Sequence, residues 1–388
     1  MVETRNQPQV IRAKVAGNTF VLIEGGEDRL AAILDLIRGA KGSLKLLFYM
    51  FTADGTGTAV RDALAEAALR GLEVKVLVDG FGSGAPPEFF ANLEEGGGEI
   101  CVFNPHYGRR YLVRNHQKLA IADGQRALIG GANIDDTYMA DIGEEHWRDL
   151  WLSIDGPAVR CASEYFDALF RWTTRKGSKM RALRRLVAQE SQWRGPVQWK
   201  FSGPVSRRNS WWRSFGRDIN QAQQLDMIFA YFAPPGAMIR RIGRLARRRG
   251  GSARIITAAH SDNNATIGAA RHTYSRLLRR GVGMYEYRPA KLHTKLAIVD
   301  DVVHIGSSNF DFRSLYLNLE IMLRIKDQAF ADAMRGYFER EIKSSDRIDP
   351  AMHKLRANFW LRLKWALSSF LVTTMDYTVT RRLNFRGE

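Results

Sequence analysis

A histidine, a lysine and an aspartate occur at the same spacing in two stretches of the chain: His116, Lys118 and Asp123 in the first, and His293, Lys295 and Asp300 in the second. Apolar residues fill the interval between the lysine and the aspartate in both copies, and a turn of small residues ending in asparagine follows each copy. An imidazole can attack phosphorus or transfer a proton, and an ammonium group can stabilise an oxyanion. The alternative, two ordinary strand edges in a duplicated fold, is disfavoured because an apolar strand gains nothing from two identical polar interruptions.

The apolar runs that begin at Lys118 and Lys295 predict two buried strands. Residues i and i+2 of a strand lie on one face, so each motif histidine should point the same way as its lysine. Two such strands at a pseudo-two-fold interface would bring two imidazoles and two ammonium groups into one pocket. One histidine could then form a covalent phosphohistidine, while the other protonates the departing alkoxide and later activates the incoming hydroxyl.

Residues at matching places after each motif are expected to assist the histidines. Asn133, Ser307 and Asn309 belong to the small-residue turns, and we predict that they bind the phosphate or support its binding. Asp149 and Glu320 are predicted to orient the histidines, because each imidazole needs a partner on its other ring nitrogen to fix its tautomer.

The two motif aspartates, Asp123 and Asp300, follow the buried runs at predicted turns. They complete the catalytic motif, and we interpret them as turn and salt-bridge formers that take no part as acids in the reaction. No acidic cluster suited to Mg²⁺ is needed in such a pocket, so neither a metal nor another cofactor is expected.

The chain around these motifs alternates strand-like and helix-like segments. Residues 43–51 and 73–79 are predicted strands joined by a helix over 59–70, and the second half repeats this rhythm between 215 and 287. The fold class predicted is α/β, with two pseudo-symmetric α/β/α halves, mostly parallel sheets and a C-terminal amphipathic helical tail. The predicted boundaries are an N-terminal arm (1–19), a first half (20–174), a basic linker (175–204), a second half (205–345) and the tail (346–388).

The amino-acid composition limits the kinds of partner that the chain is expected to bind. Lys and Arg outnumber Asp and Glu by 58 to 41, and a net charge of +17 favours anionic partners, either nucleic acid or an anionic lipid surface. Cys101 and Cys161 lie beside apolar residues and are expected to be free thiols. No signal peptide is visible, and the longest uncharged apolar stretch of the tail is too short to span a bilayer. We therefore expect a protein of the cytosol or of the cytosolic face of a membrane.

The tail combines aromatic and basic residues over 353–382, among them Phe359, Trp360, Trp365, Arg362 and Lys364. Such a helix suits an interfacial anchor on anionic lipid. It is equally suited to packing its apolar stripe onto the catalytic body, and both can hold for different turns of the helix.

The paired motifs resemble the signature of the phospholipase D superfamily, His-x-Lys-x4-Asp followed by Gly-Ser/Gly-x-Asn, twice per chain. Within it the chain is most similar to bacterial cardiolipin synthases, on the evidence of 49–51, 114–116, 131–134, 147–149, 156–159, 231–234 and 309–320. The resemblance implies that His116 is the nucleophile and His293 the general acid. It also implies transfer of a phosphatidyl group to an alcohol, classically between two phosphatidylglycerol molecules to give cardiolipin and glycerol, without a metal.

Two departures from the family pattern stand out. The interval between Asp300 and Gly306 is one residue shorter than that between Asp123 and Gly130, which a shorter hairpin at Asp300 and Asp301 would explain. The paired N-terminal membrane helices of longer cardiolipin synthases are missing, so the chain resembles the shorter kind that lies peripherally on the cytosolic face of the bacterial cytoplasmic membrane.

Three other functions remain open at this point. One is a phospholipase D that releases phosphatidic acid, and another is a phosphodiesterase acting on nucleic acid, which the amphipathic tail disfavours. The third is a catalytically silent lipid-binding protein, which complete His/Lys sets in both copies disfavour. The oligomeric state is not predicted, although two halves in one chain remove the need for a dimer to complete the site.

Overall fold

The computed structural model describes residues 10–104, 113–141, 143, 145–204 and 209–374. The strands of the first half are β1 (Arg12–Val15), β2 (Asn18–Ile23), β3 (Ser43–Phe48), β4 (Glu73–Asp79), β5 (Glu99–Phe103), β6 (Lys118–Ala122), β7 (Arg126–Gly130), β8 (Trp147–Arg148) and β9 (Trp151–Asp155). Those that follow are β10 (Val197–Ser202), β11 (Gln224–Phe229), β12 (Ser252–Ala258), β13 (Gly283–Tyr287), β14 (Lys291–Leu292), β15 (Lys295–Val299), β16 (Val302–Gly306), β17 (Glu320–Lys326) and β18 (Ser345–Arg347).

The helices of the first half and the linker are α1 (Gly26–Arg38), α2 (Gly55–Leu69), a 3-10 turn (Pro87–Phe90), α3 (Ala91–Glu95), α4 (Val159–Thr174) and α5 (Met180–Glu190). The remaining helices are α6 (Ser210–Gln221), α7 (Gly236–Arg247), α8 (Asn264–Leu278), α9 (Phe312–Tyr316), α10 (Gln328–Lys343), α11 (Pro350–Arg356) and α12 (Phe359–Thr374).

The strands form two eight-stranded sheets of closely related topology. The first has the order β1-β2-β9-β7-β6-β3-β4-β5, and the second the order β10-β17-β16-β15-β11-β12-β13-β18. Seven strands correspond between the sheets, from β2 to β5 in the first and from β10 to β13 in the second, and each motif strand (β6 or β15) is central. The prediction of two α/β halves is confirmed.

The prediction of mostly parallel sheets needs correction. Only β3, β4 and β5 of the first sheet, and β11, β12 and β13 of the second, pair in parallel, and the other pairings are antiparallel. Helices cross over between the parallel strands, whereas tight hairpins join β6 to β7 and β15 to β16. A hairpin can connect only antiparallel neighbours.

Two segments predicted to lie outside the halves contribute strands to the sheets. In the predicted arm, β1 pairs with β2 at the edge of the first sheet. In the predicted linker, β10 pairs with β17 along its whole length, while α5 carries Arg181, Arg184 and Arg185. The domain boundaries themselves stay a prediction.

A hydrophobic core shared by both halves joins the two sheets. Tyr165 of α4 stacks on Phe201 of β10 with ring centroids 3.7 Å apart, and Phe330 of α10 stacks on Phe20 of β2 at 6.1 Å. Each half thus packs a helix against a strand of the other, and the two form one folding unit. Two further core clusters lie within single halves, and Cys101 and Cys161 are both free thiols.

Helices α11 and α12 pack on α8. The contact is close, since a Cβ atom at Gly268 would lie 2.7 Å from the Ser368 hydroxyl, and Trp365 stacks on His353 with ring centroids 5.4 Å apart. One stripe of α12 is therefore buried, while another apolar stripe is exposed. No helix among the described residues has the length and apolar character that crossing a membrane requires. Arg381 and Arg382 of the predicted tail lie outside the described residues.

The motif aspartates occupy the two hairpin turns. Asp123 and Asp300 both have left-handed backbones, with φ of 56° and 47°. The second turn is one residue shorter because Val299 pairs directly with Val302, as the sequence interval predicted. The carboxylate of Asp123 accepts from the backbone N–H groups of the segment entering β3, at Lys41 (3.0 Å), Gly42 (2.7 Å) and Ser43 (2.9 Å). Asp300 accepts in the same way from Gln223 and Gln224.

We expect Asp123→Ala to lower the free energy of unfolding by about 1–3 kcal/mol, because backbone donors lose a charged acceptor. Asp123→Asn should lose less, since the amide oxygen still accepts and asparagine tolerates left-handed φ. Partial burial raises the pKa of Asp123, but the backbone N–H groups of Ser43, Lys41 and Gly42 outweigh this effect and hold the pKa below its usual value. The stabilisation should be complete above about pH 4 and disappear as pH falls through that lowered pKa. Urea unfolding across this range is the measurement, and equal stability of wild type and alanine variant at pH 7 would contradict it.

Candidate active site

The two motif histidines line one pocket at the interface of the halves, with a volume of about 270 Å³. His116 comes from the first half and His293 from the second, and Asn133 and Asn309 line the same pocket. The convergence predicted for the two imidazoles is therefore present in the structure, whereas the two lysines predicted to join them do not line the pocket.

Short parallel strand pairings across the interface hold both histidines. The segment before β6 pairs with the segment before β17, where the His116 N–H donates to the Leu319 carbonyl at 2.9 Å. In the same way β14 pairs with β8, and the His293 N–H donates to the Arg148 carbonyl at 2.8 Å. These backbone hydrogen bonds place each imidazole beside the residue that follows the accepting carbonyl. That residue is Glu320 for His116 and Asp149 for His293.

Each imidazole is oriented by a carboxylate from the opposite half. His116 Nδ1 lies 3.0 and 3.1 Å from the two carboxylate oxygens of Glu320, and His293 Nδ1 lies 2.6 Å from Asp149 Oδ2. The sequence identified these two acids, but it did not predict that each one orients the histidine of the opposite half. Because Nδ1 is occupied in both rings, Nε2 is the nitrogen left for a ligand. Neither half alone contains both a motif histidine and the carboxylate that orients it.

Burial and positive neighbours lower the pKa of both imidazoles. For His293, burial and the Lys295 ammonium outweigh the Asp149 carboxylate and bring the pKa to about 3. For His116, burial together with Lys118 and Lys295 holds the pKa well below the usual value. Both rings are therefore neutral at pH 7 in this structure, and a neutral imidazole is what a nucleophile or a general base requires.

The two orienting carboxylates differ in protonation. Burial raises the pKa of Glu320 to about 8, although Lys118 opposes this shift. Burial acts on Asp149 in the same direction, but Lys295 and His293 outweigh it and the pKa of Asp149 falls below its usual value. Asp149 is therefore the ionised member, which makes the two sites electrostatically unequal despite their similar geometry.

The motif lysines lie in the protein interior and do not line the pocket. Lys118 Nζ donates to the carbonyl of His116 at 2.7 Å, and Lys295 Nζ donates to the carbonyl of His293. Burial lowers the pKa of Lys118 to about 7 and that of Lys295 to about 8. They act on the pocket through their charge and through the backbone of the histidines.

Of the turn residues, Asn133 and Asn309 line the pocket, whereas Ser307 supports a residue that orients a histidine. Asn133 Oδ1 accepts from the Met50 N–H at 3.3 Å, which leaves its amide N–H groups for the pocket. Ser307 lies outside the pocket lining: its hydroxyl donates to Glu320 Oε2 at 2.5 Å and accepts from the Ile321 N–H at 3.0 Å. At the matching place in the first half, a Cβ on Gly131 would lie 2.5 Å from the Asp149 carboxylate, so only glycine fits there.

Aromatic rings that the sequence left without a role surround the imidazoles. Tyr49 lies 5.0 Å from the His116 ring, while Tyr138, Trp147 and Tyr231 lie 5.1, 5.4 and 6.1 Å from the His293 ring, measured between centroids. Two of them carried a usable signal, because Tyr49 and Tyr231 follow β3 and β11, the strands that pair with the motif strands β6 and β15. Tyr138 lies in a loop and carried none.

Charged residues also line the pocket, among them Arg114, Arg313, Asp262 and Asp311. Burial raises the pKa of Asp311 to about 6, and its carboxylate caps α9 by accepting from the Ser314 N–H at 2.9 Å. Asp123 and Asp300 are absent from the pocket lining, since they lie at the far ends of β6 and β15 from the histidines.

Comparison with known proteins identifies the family. A family model described as "Cardiolipin synthase, PLD-like domain" matches residues 33–170 and 216–342. Cardiolipin synthase A of Pseudomonas entomophila is 32% identical over 358 residues, covering 88% of this chain and 73% of the relative. Cardiolipin synthase A of Pseudomonas aeruginosa strain LESB58 is 31% identical over 349 residues, covering 87% of this chain and 69% of the relative.

Solved structures share the fold. A phosphatidylserine synthase from Haemophilus influenzae superposes with a TM-score of 0.70 and 16% identity, covering 93% of this chain and 96% of that protein. Because the family model matches both halves and the relatives match most of the chain, the protein belongs to the phospholipase D-like family of cardiolipin synthases and is an enzyme of the phospholipase D superfamily.

Proposed function

We propose that this enzyme is a phosphatidyltransferase of the cardiolipin synthase type, which moves a phosphatidyl group between phospholipids through a phosphohistidine intermediate and without a metal. One observation carries the proposal. His116 and His293 line the same pocket, each with Nδ1 held by a carboxylate of the opposite half and Nε2 left for the ligand.

The reaction has two steps in this proposal. The Nε2 lone pair of His116 attacks phosphorus, the bond from phosphorus to the headgroup oxygen breaks, and His293 supplies the proton that converts the leaving alkoxide into an alcohol. His293 then removes the proton from the hydroxyl of a second lipid, whose oxygen displaces His116 from phosphorus. The enzyme returns to its starting state, and one phosphodiester replaces another.

The unequal carboxylates support this division of roles. An ionised Asp149 stabilises the imidazolium that His293 must become to act as an acid. Glu320 stabilises positive charge on His116 less, since its pKa is raised to about 8. His116 is then the ring better kept neutral. It attacks as the neutral tautomer with its proton on Nδ1, where the N–H donates to a carboxyl oxygen of Glu320 and Nε2 keeps its lone pair.

A bound phosphodiester completes the electrostatics. Its negative charge would raise the lowered pKa values of Lys118, Lys295 and His293, because an opposite charge favours the protonated form. The amide of Asn133 and the two buried ammonium groups would then stabilise the charge that accumulates on the equatorial oxygens during displacement.

We further propose phosphatidylglycerol as a donor and an anionic bilayer as the working surface, with peripheral attachment at the cytosolic face of a bacterial membrane. The relatives named cardiolipin synthase and the exposed apolar stripe of α12 support a lipid substrate. A hydrolase would use the same first step and differ only in accepting water, so the products decide between the two.

We expect purified enzyme incubated with phosphatidylglycerol to form cardiolipin and free glycerol, measured by mass spectrometry of the lipids. Phosphatidic acid as the main product would replace transfer by hydrolysis, and an unchanged lipid would contradict both. Parallel reactions with EDTA should run at the same rate. Among the described residues no group of three or more histidine, cysteine, aspartate or glutamate side chains is arranged to hold a metal ion. Inhibition that a divalent ion reverses would contradict a metal-free reaction.

A substrate with an activated leaving group separates the roles of the histidines. With the phosphatidyl ester of 4-nitrophenol, which needs no protonation to leave, His293→Ala should release one equivalent of nitrophenolate in a burst and accumulate phosphatidyl-His116. His116→Ala should show neither. With phosphatidylglycerol both variants should be nearly inactive, and the double variant no worse than either, because the two residues act as a unit. A burst in His116→Ala alone would exchange the roles.

Asp149→Asn should lower kcat with phosphatidylglycerol by about 10²–10⁴-fold while changing KM less, because the amide cannot stabilise the imidazolium of His293. The loss should be smaller with the nitrophenyl ester, whose departure needs no acid. Asp123→Asn is the matched control: it makes the same chemical change to a motif aspartate outside the pocket, and its kcat should stay near wild type. Equal losses on both substrates would contradict a role through His293.

A further inference from the structure

A second, larger groove lies between α8 and the helices α11 and α12, on the outside of the second half. Its volume is about 920 Å³, and every charged side chain that lines it is basic: Arg271, Arg276 and Arg279 from α8, Lys354 from α11 and Arg362 from α12. His272 and His353 also line it, and no carboxylate does.

Most of this positive charge is not neutralised by the protein. Arg271 forms a two-pronged ion pair with Glu286, with distances of 2.8 and 2.9 Å. Within the described chain, no carboxylate lies at ion-pair distance from Arg276, Arg279, Lys354 or Arg362. Burial and the neighbouring charges of Arg280 and Arg279 lower the pKa of Arg276, as expected where like charges crowd together. An anion in the groove would relieve this repulsion.

An exposed apolar stripe runs beside the groove. Phe359, Leu363, Leu367 and Phe370 are three or four residues apart on α12, so they share one helix face, and Trp360 lies next to them. Their exposure is high, 74% for Trp360 and 52% for Leu363. Large apolar side chains exposed together and flanked by cations are the pattern of a helix that lies in the interface of an anionic bilayer.

The same helix is connected to the catalytic pocket. α12 contacts α9, and Asp311, Arg313 and Ser314 at the start of α9 line the pocket of the two histidines. Asp262, another pocket residue, lies just before α8, the helix on which α12 packs. Helix α12 therefore lies close to elements that contribute residues to the pocket of the two histidines.

We propose that α8, α11 and α12 form a docking face for an anionic phospholipid bilayer. The basic groove takes lipid phosphate groups other than the reacting one, and the apolar stripe of α12 enters the boundary between headgroups and acyl chains. This inference rests on the proposal that the substrate is a bilayer phospholipid, but it assigns a site that takes no part in the chemistry.

Helix α7 provides a matched control. Arg240, Arg244 and Arg247 line a basic groove with Arg280, and no large apolar side chain is exposed on that helix among the described residues. Neutralising three residues there changes the net charge by the same amount as neutralising three in the docking groove. Any difference between the two variants then reports the docking face and not the overall charge of +17.

The experiment measures binding of the full chain, carrying His116→Ala to prevent turnover, to vesicles of phosphatidylcholine with or without phosphatidylglycerol. The triple variant Arg276→Gln, Lys354→Gln, Arg362→Gln should lose about 10–100-fold in binding to the anionic vesicles. The variant Arg240→Gln, Arg244→Gln, Arg247→Gln should lose about threefold or less. Trp360→Ser with Leu363→Ser should lose at least tenfold by removing the apolar contribution. All changes are at the surface, and thermal unfolding checks that each variant folds.

Equal losses of vesicle binding in the two triple variants would overturn the proposal. Unchanged binding in the docking-groove variant and in the Trp360 variant would also overturn it. A change of oligomeric state in the Trp360 variant without vesicles would also overturn it, by assigning the stripe to a second copy of the chain. Catalysis is assayed separately with a short-chain, monomeric phosphatidylglycerol, on which an active enzyme with a neutralised docking groove should match wild type. Vesicle binding without turnover of any lipid would refute the proposed function and leave the docking face standing.

Discussion

The exchange of carboxylates between the halves is the constraint on which the rest of the structure depends. His116 is oriented by Glu320 and His293 by Asp149, so each imidazole has its partner in the opposite half. Buried ionisable groups are costly unless they are paired and hydrogen-bonded, and this cluster is stable only when the interface is closed. The shared core and the parallel pairings before β6 and β15 serve this closure.

Local patterns in the sequence were enough to predict that the two motif histidines share a pocket and that the second hairpin is shorter. The repetition of the same local pattern predicted the two halves. The exchange at Glu320 and Asp149 depends on the strand pairing of Asn115 with Leu319 and of Leu292 with Arg148, residues that are far apart in the chain. Strand periodicity predicts which face a residue occupies but not which neighbour it meets. The antiparallel pairings and the position of Tyr138 escaped prediction for the same reason.

A nearly symmetric fold holds two electrostatically unequal sites because two pairs of equivalent positions differ. Ser307 binds the longer Glu320 through its hydroxyl, whereas Gly131 leaves room for the shorter Asp149 to pack against the backbone. Asp149 lies 3.9 Å from the Lys295 ammonium, which lowers its pKa, while burial raises the pKa of Glu320 to about 8. In the proposed mechanism, the changes from Glu320 to Asp149 and from Ser307 to Gly131 between equivalent positions would distinguish the site of the nucleophile from that of the proton donor.

The two halves also differ in the helices on the outer face of each sheet. In the first half, the helix equivalent to α8 is the five-residue α3, which is too short to carry a pair of docked helices. In the second half, α8 carries α11 and α12 and begins beside the pocket residue Asp262. A bilayer bound at the proposed docking face would lie near α9, whose first residues line the pocket. In the proposed reaction the glycerol leaves as a water-soluble product and would not need to cross the lipid, so a single entrance would serve both lipid substrates.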